Sequence, residues 1–161
     1  MQKLKTKKHM AVLAWAIGLL WTLVILSLSG EPAEVSREKS MMVTEKVRMA
    51  VEYLEERLDI EIVDEGNLHR HVRKTAHMLS YFVLGILLIL AFKASGIKGA
   101  RAYAAAWLLA AGFSIVDEYY QTFVPGRGGE AGDVLLDNIG VLCALLFMLG
   151  LRKVVGAARN G

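Results

Sequence analysis

The sequence predicts an all-α membrane protein: a bundle of four transmembrane helices, with an amphipathic helix in the long extracytoplasmic loop between the first and second. Three observations predict it. The 161-residue chain is 55% hydrophobic, more than an ordinary soluble domain carries. Its apolar residues gather in four runs, each near the roughly 20 residues that cross a hydrocarbon core about 30 Å thick. Its charges are segregated between those runs. The formal charge of +3 is too small to argue for a nucleic-acid partner. Cys143 stands alone inside an apolar run, where it reads as a small buried hydrophobe that cannot form an intrachain disulfide.

Residues 10–29 carry no charge, place Trp15 and Trp21 among aliphatic side chains, and follow a basic tail of Lys3, Lys5, Lys7 and Lys8. Ser27, Leu28 and Ser29 stand where signal cleavage would need small residues. The run nevertheless exceeds the roughly 7–15-residue apolar region of a signal peptide and reads as a retained first helix, so 1–29 forms the first unit. Residues 30–72 form a Glu-rich loop. Within it Val43, Val47, Val51, Leu54 and Leu58 recur at helical spacing and give 40–58 one apolar stripe, suited to a membrane surface or to the bundle. Pro32 and Gly66 mark its two approaches. Residues 73–161 hold the other three spans, at 76–92, 102–116 and 134–151, and no internal repeat is visible.

Orientation follows from the basic residues. The tail before Met10, the connection with Lys93, Lys98 and Arg101, and the end with Arg152, Lys153 and Arg159 hold ten basic residues and no acid. The other loops hold all sixteen carboxylates and nine basic residues, most of them spread along the acidic loop. Lys and Arg concentrated beside the spans set topology. Both termini are therefore expected in the cytoplasm, in a multi-pass protein of the cytoplasmic membrane, with 30–74 and 118–133 outside.

Under that topology the polar residues of three helices meet at the outer face. Arg73, His77 and Tyr81 share one helix face at i, i+4 and i+8, with Lys74 beside them. Asp117 and Gln121 share another, with Glu118 adjacent. Asp133 and Asp137 share a third, with Asn138 adjacent. Arg127 sits in the turn Pro125-Gly126-Arg127-Gly128-Gly129, whose composition favours a tight re-entry. Asp117 comes about 24 Å of helix after Arg101, short of the full core thickness. An ionised carboxylate at mid-membrane costs at least about 2.5–3.5 kcal/mol, and less near the edge, so such groups face the bundle and find partners.

These segments carry a resemblance. Arg73-Lys74-Thr75-Ala76-His77 with Tyr81, Asp117-Glu118-Tyr119-Tyr120-Gln121 with Phe123, Pro125-Gly126-Arg127, and Asp133 through Asp137-Asn138-Ile139-Gly140 together resemble the VanZ-like family of bacterial membrane proteins over roughly residues 70–150. The resemblance implies an integral membrane protein of the cell envelope and a link to glycopeptide (teicoplanin) resistance. It implies no established enzymatic activity. Gly128-Gly129-Glu130 and Asp137 depart from the family pattern, and the acidic loop before His69 lies outside the resemblance.

The residue types support several chemistries. Arg73 and Arg127 suit an anionic headgroup, a lipid phosphate or a cell-wall precursor, because a guanidinium fork meets phosphate oxygens in pairs. The expected binding set is Arg73, Lys74, His77, Tyr81, Asp117, Glu118, Gln121, Arg127, Asp133, Asp137 and Asn138. His77, Asp117 and Glu118 are the candidates for acid–base or nucleophilic work if the site hydrolyses or transfers a lipid-linked phosphate. A divalent metal on His77, Asp117, Glu118, Asp133 and Asp137 has suitable ligands but no diagnostic spacing, and two arginines oppose it, so no metal is assigned and the cofactor is left open. His69 and His71 form a His-x-His pair of the kind that is ordinarily solvated. The bland alternative is that the cluster only ties helix ends together. An accessory or scaffolding role would use the 40–58 helix for docking. Gly85, Gly112 and Gly140 read as close-approach positions, and Trp107 and Phe123 as packing or interfacial aromatics. Membrane lipids are the expected surroundings, and no oligomeric state is read from the sequence.

Overall fold

The chain has only two prolines, Pro32 and Pro125, and both fall between helices, so no helix interior loses a hydrogen bond to proline. The computed structural model describes residues 2–58 and 65–158. It arranges them as five helices: α1 (Gln2–Ser29), α2 (Ala33–Leu58), α3 (Glu65–Ala94), α4 (Ala100–Gln121) and α5 (Ala131–Ala158). No strand occurs among the described residues. The helices outrun the sequence expectation. The basic tail is part of α1, α2 begins before residue 40, and Gly66 lies within α3 rather than marking a loop. Arg159 and residues 59–64 of the acidic loop lie outside the described residues, as does the His69 side chain.

Among the described residues three helices, not four, are long and apolar enough to cross a membrane: Thr6–Ser29, Arg70–Ala94 and Ala131–Ala158. The fourth expected span, α4, has 22 residues, about 33 Å of helix, so length is not what it lacks. What sets it apart is charge, since Arg101, Asp117 and Glu118 all lie within it. Polarity is distributed inside out. Leu20, Leu108 and Leu146 are 63%, 63% and 69% exposed, whereas Ser29, Asp117 and Asp137 are buried at 0%, 0% and 1%. A bundle that shows leucine outward and hides carboxylates inside is built for an apolar solvent.

Packing brings the polar ends together. The short connection after Ala94, with Gly96 and Gly99 at positive φ, returns the chain as α4 antiparallel to α3. The ends of α1 and α4 therefore meet the beginnings of α3 and α5. α3 and α5 share the most extensive interface, and glycine permits it. A Cβ on Gly85 would sit 2.9 Å from that of Ala144, and one on Gly140 would fall onto the Met78 carbonyl oxygen. Gly112, expected to serve the same purpose, faces open space. α1 is fastened to α3 by Trp21, whose indole N–H donates to the Ser80 carbonyl at 2.9 Å, and by Trp15, which donates to Ser95 Oγ at 2.9 Å and stacks edge-on against Phe92. Below the polar end Ile25, Tyr81, Leu84, Leu88, Ile89, Ala106, Ala110 and Val141 form the core.

Candidate functional site

Helical periodicity decides which groups meet. On α4 the buried face runs Ser114, Asp117, Glu118 and Gln121, at i, i+3, i+4 and i+7. On α5 Asp137 faces inward, one turn above Val141. Asp137 lies six residues into α5, about 9 Å below its start, so the site is recessed rather than superficial.

His77 occupies the centre. Its Nδ1 is 2.8 Å from Asp137 Oδ1, and because a carboxylate only accepts, Nδ1 carries the proton. Its Nε2 faces Ser29 Oγ at 3.2 Å and Asp117 Oδ2 at 3.5 Å. The same Asp117 oxygen accepts from Ser29 at 3.0 Å and from the Tyr81 hydroxyl at 3.3 Å. The second oxygen of Asp137 accepts from Ser114 Oγ at 2.8 Å. Gln121 reaches Ser29 Oγ at 3.5 Å. Four helices thus contribute to one network, and its pairs lie 23 to 92 residues apart in sequence.

A second group rings the mouth. Lys74 bridges Glu130, at 2.9 Å, and Asp133, and Arg70 stands 3.9 Å from Glu130. Lys74, first by its hydrogen bond and then by its charge, holds the Glu130 carboxyl below its ordinary range. Glu118 turns from Asp117 toward the start of α5, where its Oε1 accepts from the Glu130 backbone N–H at 2.6 Å and satisfies a donor beside that helix terminus. Gly126, at φ 73°, shapes the turn that carries Arg127, and the turn docks on α2 through Ala33 N–H donating to the Pro125 carbonyl at 3.2 Å.

Arg127 and Arg73 are the unneutralised charges of the site. Arg127 donates to the Leu28 carbonyl at 3.3 Å, while its buried Nε has no hydrogen-bond partner. Burial, and then the nearby Arg73 charge, pushes its guanidinium below the ordinary arginine range. Among the described residues neither arginine has a carboxylate within ion-pair distance. Both line a small polar pocket with Lys74, His77, Gln121, Asp133, Leu136 and Asp137. Buried Asp117 Oδ1 and Glu118 Oε2 are also without partners. Among the described residues no group of three or more His, Cys, Asp or Glu side chains is arranged to hold a metal ion.

Of the expected residues, Arg73, Lys74, His77, Tyr81, Asp117, Gln121, Arg127, Asp133 and Asp137 converge. Asn138 does not join the network: one position past Asp137 it is turned about 100° away, and its amide donates to the Val134 carbonyl of its own helix at 2.8 Å. Sequence reasoning missed Ser29 and Ser114. Ser114 was findable, because it precedes Asp117 by three residues on the same face. Ser29 offered only its position as a small polar residue at the end of an apolar run.

The model of the family described as VanZ/LLP1 matches residues 14–152. The chain belongs to the VanZ/LLP1 family. The match reaches back through α2 into α1, so the acidic stretch expected to lie outside the resemblance falls within it, and so does Ser29. With three membrane-length apolar helices, this is a VanZ-like membrane protein. No curated protein and no solved structure matches the chain.

Proposed function

We propose that this VanZ/LLP1 protein holds the anionic headgroup of a membrane lipid or a cell-wall precursor at the polar end of its bundle. On this reading α4 crosses the cytoplasmic membrane as a fourth span, because it runs antiparallel between α3 and α5 for about the thickness of the core. Both termini are then cytoplasmic and the site opens outward, with α2 on the outer side. A role at the cell envelope connected with glycopeptide (teicoplanin) susceptibility is consistent with the family.

One observation carries the reading: Arg127 is partly buried, carries an unpartnered Nε and is opposed by Arg73 across a shared pocket. The two carboxylates that also line this cavity, Asp133 and Asp137, are taken up by Lys74 and His77. The two guanidinium groups, left without an ion pair, repel each other until an anion enters, and phosphate oxygens suit guanidinium donors. Native mass spectrometry of the detergent-purified protein tests this. The wild type should retain a phospholipid or isoprenoid phosphate that Arg73→Ala and Arg127→Ala release while remaining folded. A wild type that carries a divalent ion, or carries the same lipids as both variants, contradicts it.

A second reading, a hydrolase or transferase acting on a lipid-linked phosphate, is favoured by the chain Ser29 Oγ, His77 Nε2, His77 Nδ1 and Asp137. The order is that of a nucleophile, a base and an orienting carboxylate. With its hydroxyl turned from Asp117 to His77, Ser29 Oγ would bond to phosphorus as its proton passes to His77. The bond from phosphorus to the lipid oxygen would break as that oxygen takes the proton, and water, deprotonated by His77, would then cleave the phosphoserine and release phosphate. The full burial of Ser29 requires an opening motion first. Phosphate release from a lipid phosphate by the wild type, absent in Ser29→Ala and His77→Ala, supports this reading; equal rates in all three sink it.

A further inference from the structure

A second cavity, of about 250 Å³, lies between the corner joining α1 to α2 and the face of α3. Its wall is mostly apolar, with Leu28 from α1, Val43 from α2, and Val72 and Ala76 from α3. Glu31 and Lys39, on its α2 side, pair with each other and leave no net charge there. Arg73, His77 and Arg127 line this groove and the polar pocket alike, so the two spaces share one positively charged partition.

We propose that the groove receives the hydrocarbon chain of the molecule whose anionic headgroup sits against Arg73 and Arg127, which makes the ligand a lipid-linked phosphate and not a free one. The inference rests on the headgroup reading and specifies its substrate class. Charge complementarity selects the occupant. A purely apolar segment would leave the two arginines facing a dry wall, whereas free phosphate would leave the apolar wall uncovered. An amphiphile with its phosphate at the partition satisfies both. The groove falls just under the roughly 300–1,000 Å³ of typical small-molecule sites, so it takes the first stretch of one chain, and the remainder continues into the surrounding lipid. α2 supplies one wall of this path.

The test uses the full chain in phosphatidylcholine nanodiscs, with a fluorescent dodecyl phosphate and inorganic phosphate as probes. The wild type should bind dodecyl phosphate at least tenfold more tightly than inorganic phosphate. Ala76→Trp and Val43→Trp fill the groove from opposite walls and should each remove that preference while leaving inorganic phosphate binding unchanged. Arg127→Ala should weaken both probes. If both tryptophan variants bind dodecyl phosphate as the wild type does, or the wild type shows no preference, the groove assignment falls and the headgroup reading stands. If Arg127→Ala binds dodecyl phosphate like the wild type, the headgroup reading falls with it. The two tryptophans lie on different helices, so a variant that fails to fold leaves the other to decide, each checked by monodispersity and helical circular dichroism.

Discussion

Replacing Asp137 with alanine removes one acceptor shared by two helices. Its oxygens take hydrogen bonds from His77 on α3 and Ser114 on α4, both at 2.8 Å, at a position 1% exposed. In soluble proteins an orphaned buried donor costs about 1–3 kcal/mol. Interhelical bonds in membrane proteins average nearer 0.6 kcal/mol, with a maximum of about 1.7. Two lost bonds on the membrane scale give about 1–3 kcal/mol, and relief of the carboxylate's own desolvation draws the value toward the lower end. Asp137→Asn keeps the shape and an acceptor for His77, and a rotated Ser114 hydroxyl can accept from the new amide, so its cost should stay below about 1 kcal/mol. Reversible unfolding in bicelles, followed by steric trapping, measures each variant. Asp137→Ala combined with Ser114→Ala should cost less than the two single changes together by about one hydrogen bond. The reasoning is refuted if alanine is as stable as the wild type within about 0.3 kcal/mol, or if asparagine is as costly as alanine.

Three further outcomes follow from the packing and the charges. Gly140→Ala drives a methyl group into the Met78 backbone carbonyl, where only separation of α3 from α5 gives relief, and should cost about 1–3 kcal/mol or more in the same unfolding assay; wild-type stability would contradict the close approach. Gly126→Ala puts a side chain at φ 73° and 3.0 Å from the Ala33 Cβ; with about 1–2 kcal/mol of left-handed strain, it should raise protease cleavage in the Arg127 turn, and unchanged cleavage would count against that turn. Lys74 holds Glu130 below its ordinary 4.5, so this acid's contribution is present above about pH 4.5 and disappears as pH falls through its lowered folded value. The wild type should lose its melting-temperature advantage over Glu130→Gln only in that acid range, and the difference should be small because the Glu130 side chain is 48% exposed.

The convergence of His77, Asp117 and Asp137 was legible because helix period and antiparallel order place them at one end without any knowledge of packing. What the sequence could not carry were contacts between distant segments. Ser29 bonds Asp117 across 88 residues, and no single-helix pattern announces such a pair, so the serine stood out only as one of the small residues that signal cleavage would need. Glu118 and Asn138 were placed in the binding set by adjacency alone. One residue is about 100° of helix, which turns Glu118 toward the start of α5 and Asn138 onto its own backbone. α4 illustrates a different limit. The expected span that carries the buried carboxylates Asp117 and Glu118 is the one that falls outside the helices apolar enough to cross a membrane. The apolar stripe of 40–58 suited a membrane surface and the bundle alike, and packing decides the point, since Val43 and the chain just before it wall the groove beside His77.

The most direct test of an anion held between Arg73 and Arg127 is a nuclear magnetic resonance distance measurement in lipid bilayers. Protein carrying ¹⁵N-labelled arginine guanidinium groups would be observed through dephasing of bound-lipid ³¹P. The account predicts dephasing in the wild type that disappears in the Arg73→Ala, Arg127→Ala double variant while the helices stay folded. Dephasing that persists in the double variant, or none in the wild type with lipid phosphate present, would contradict it.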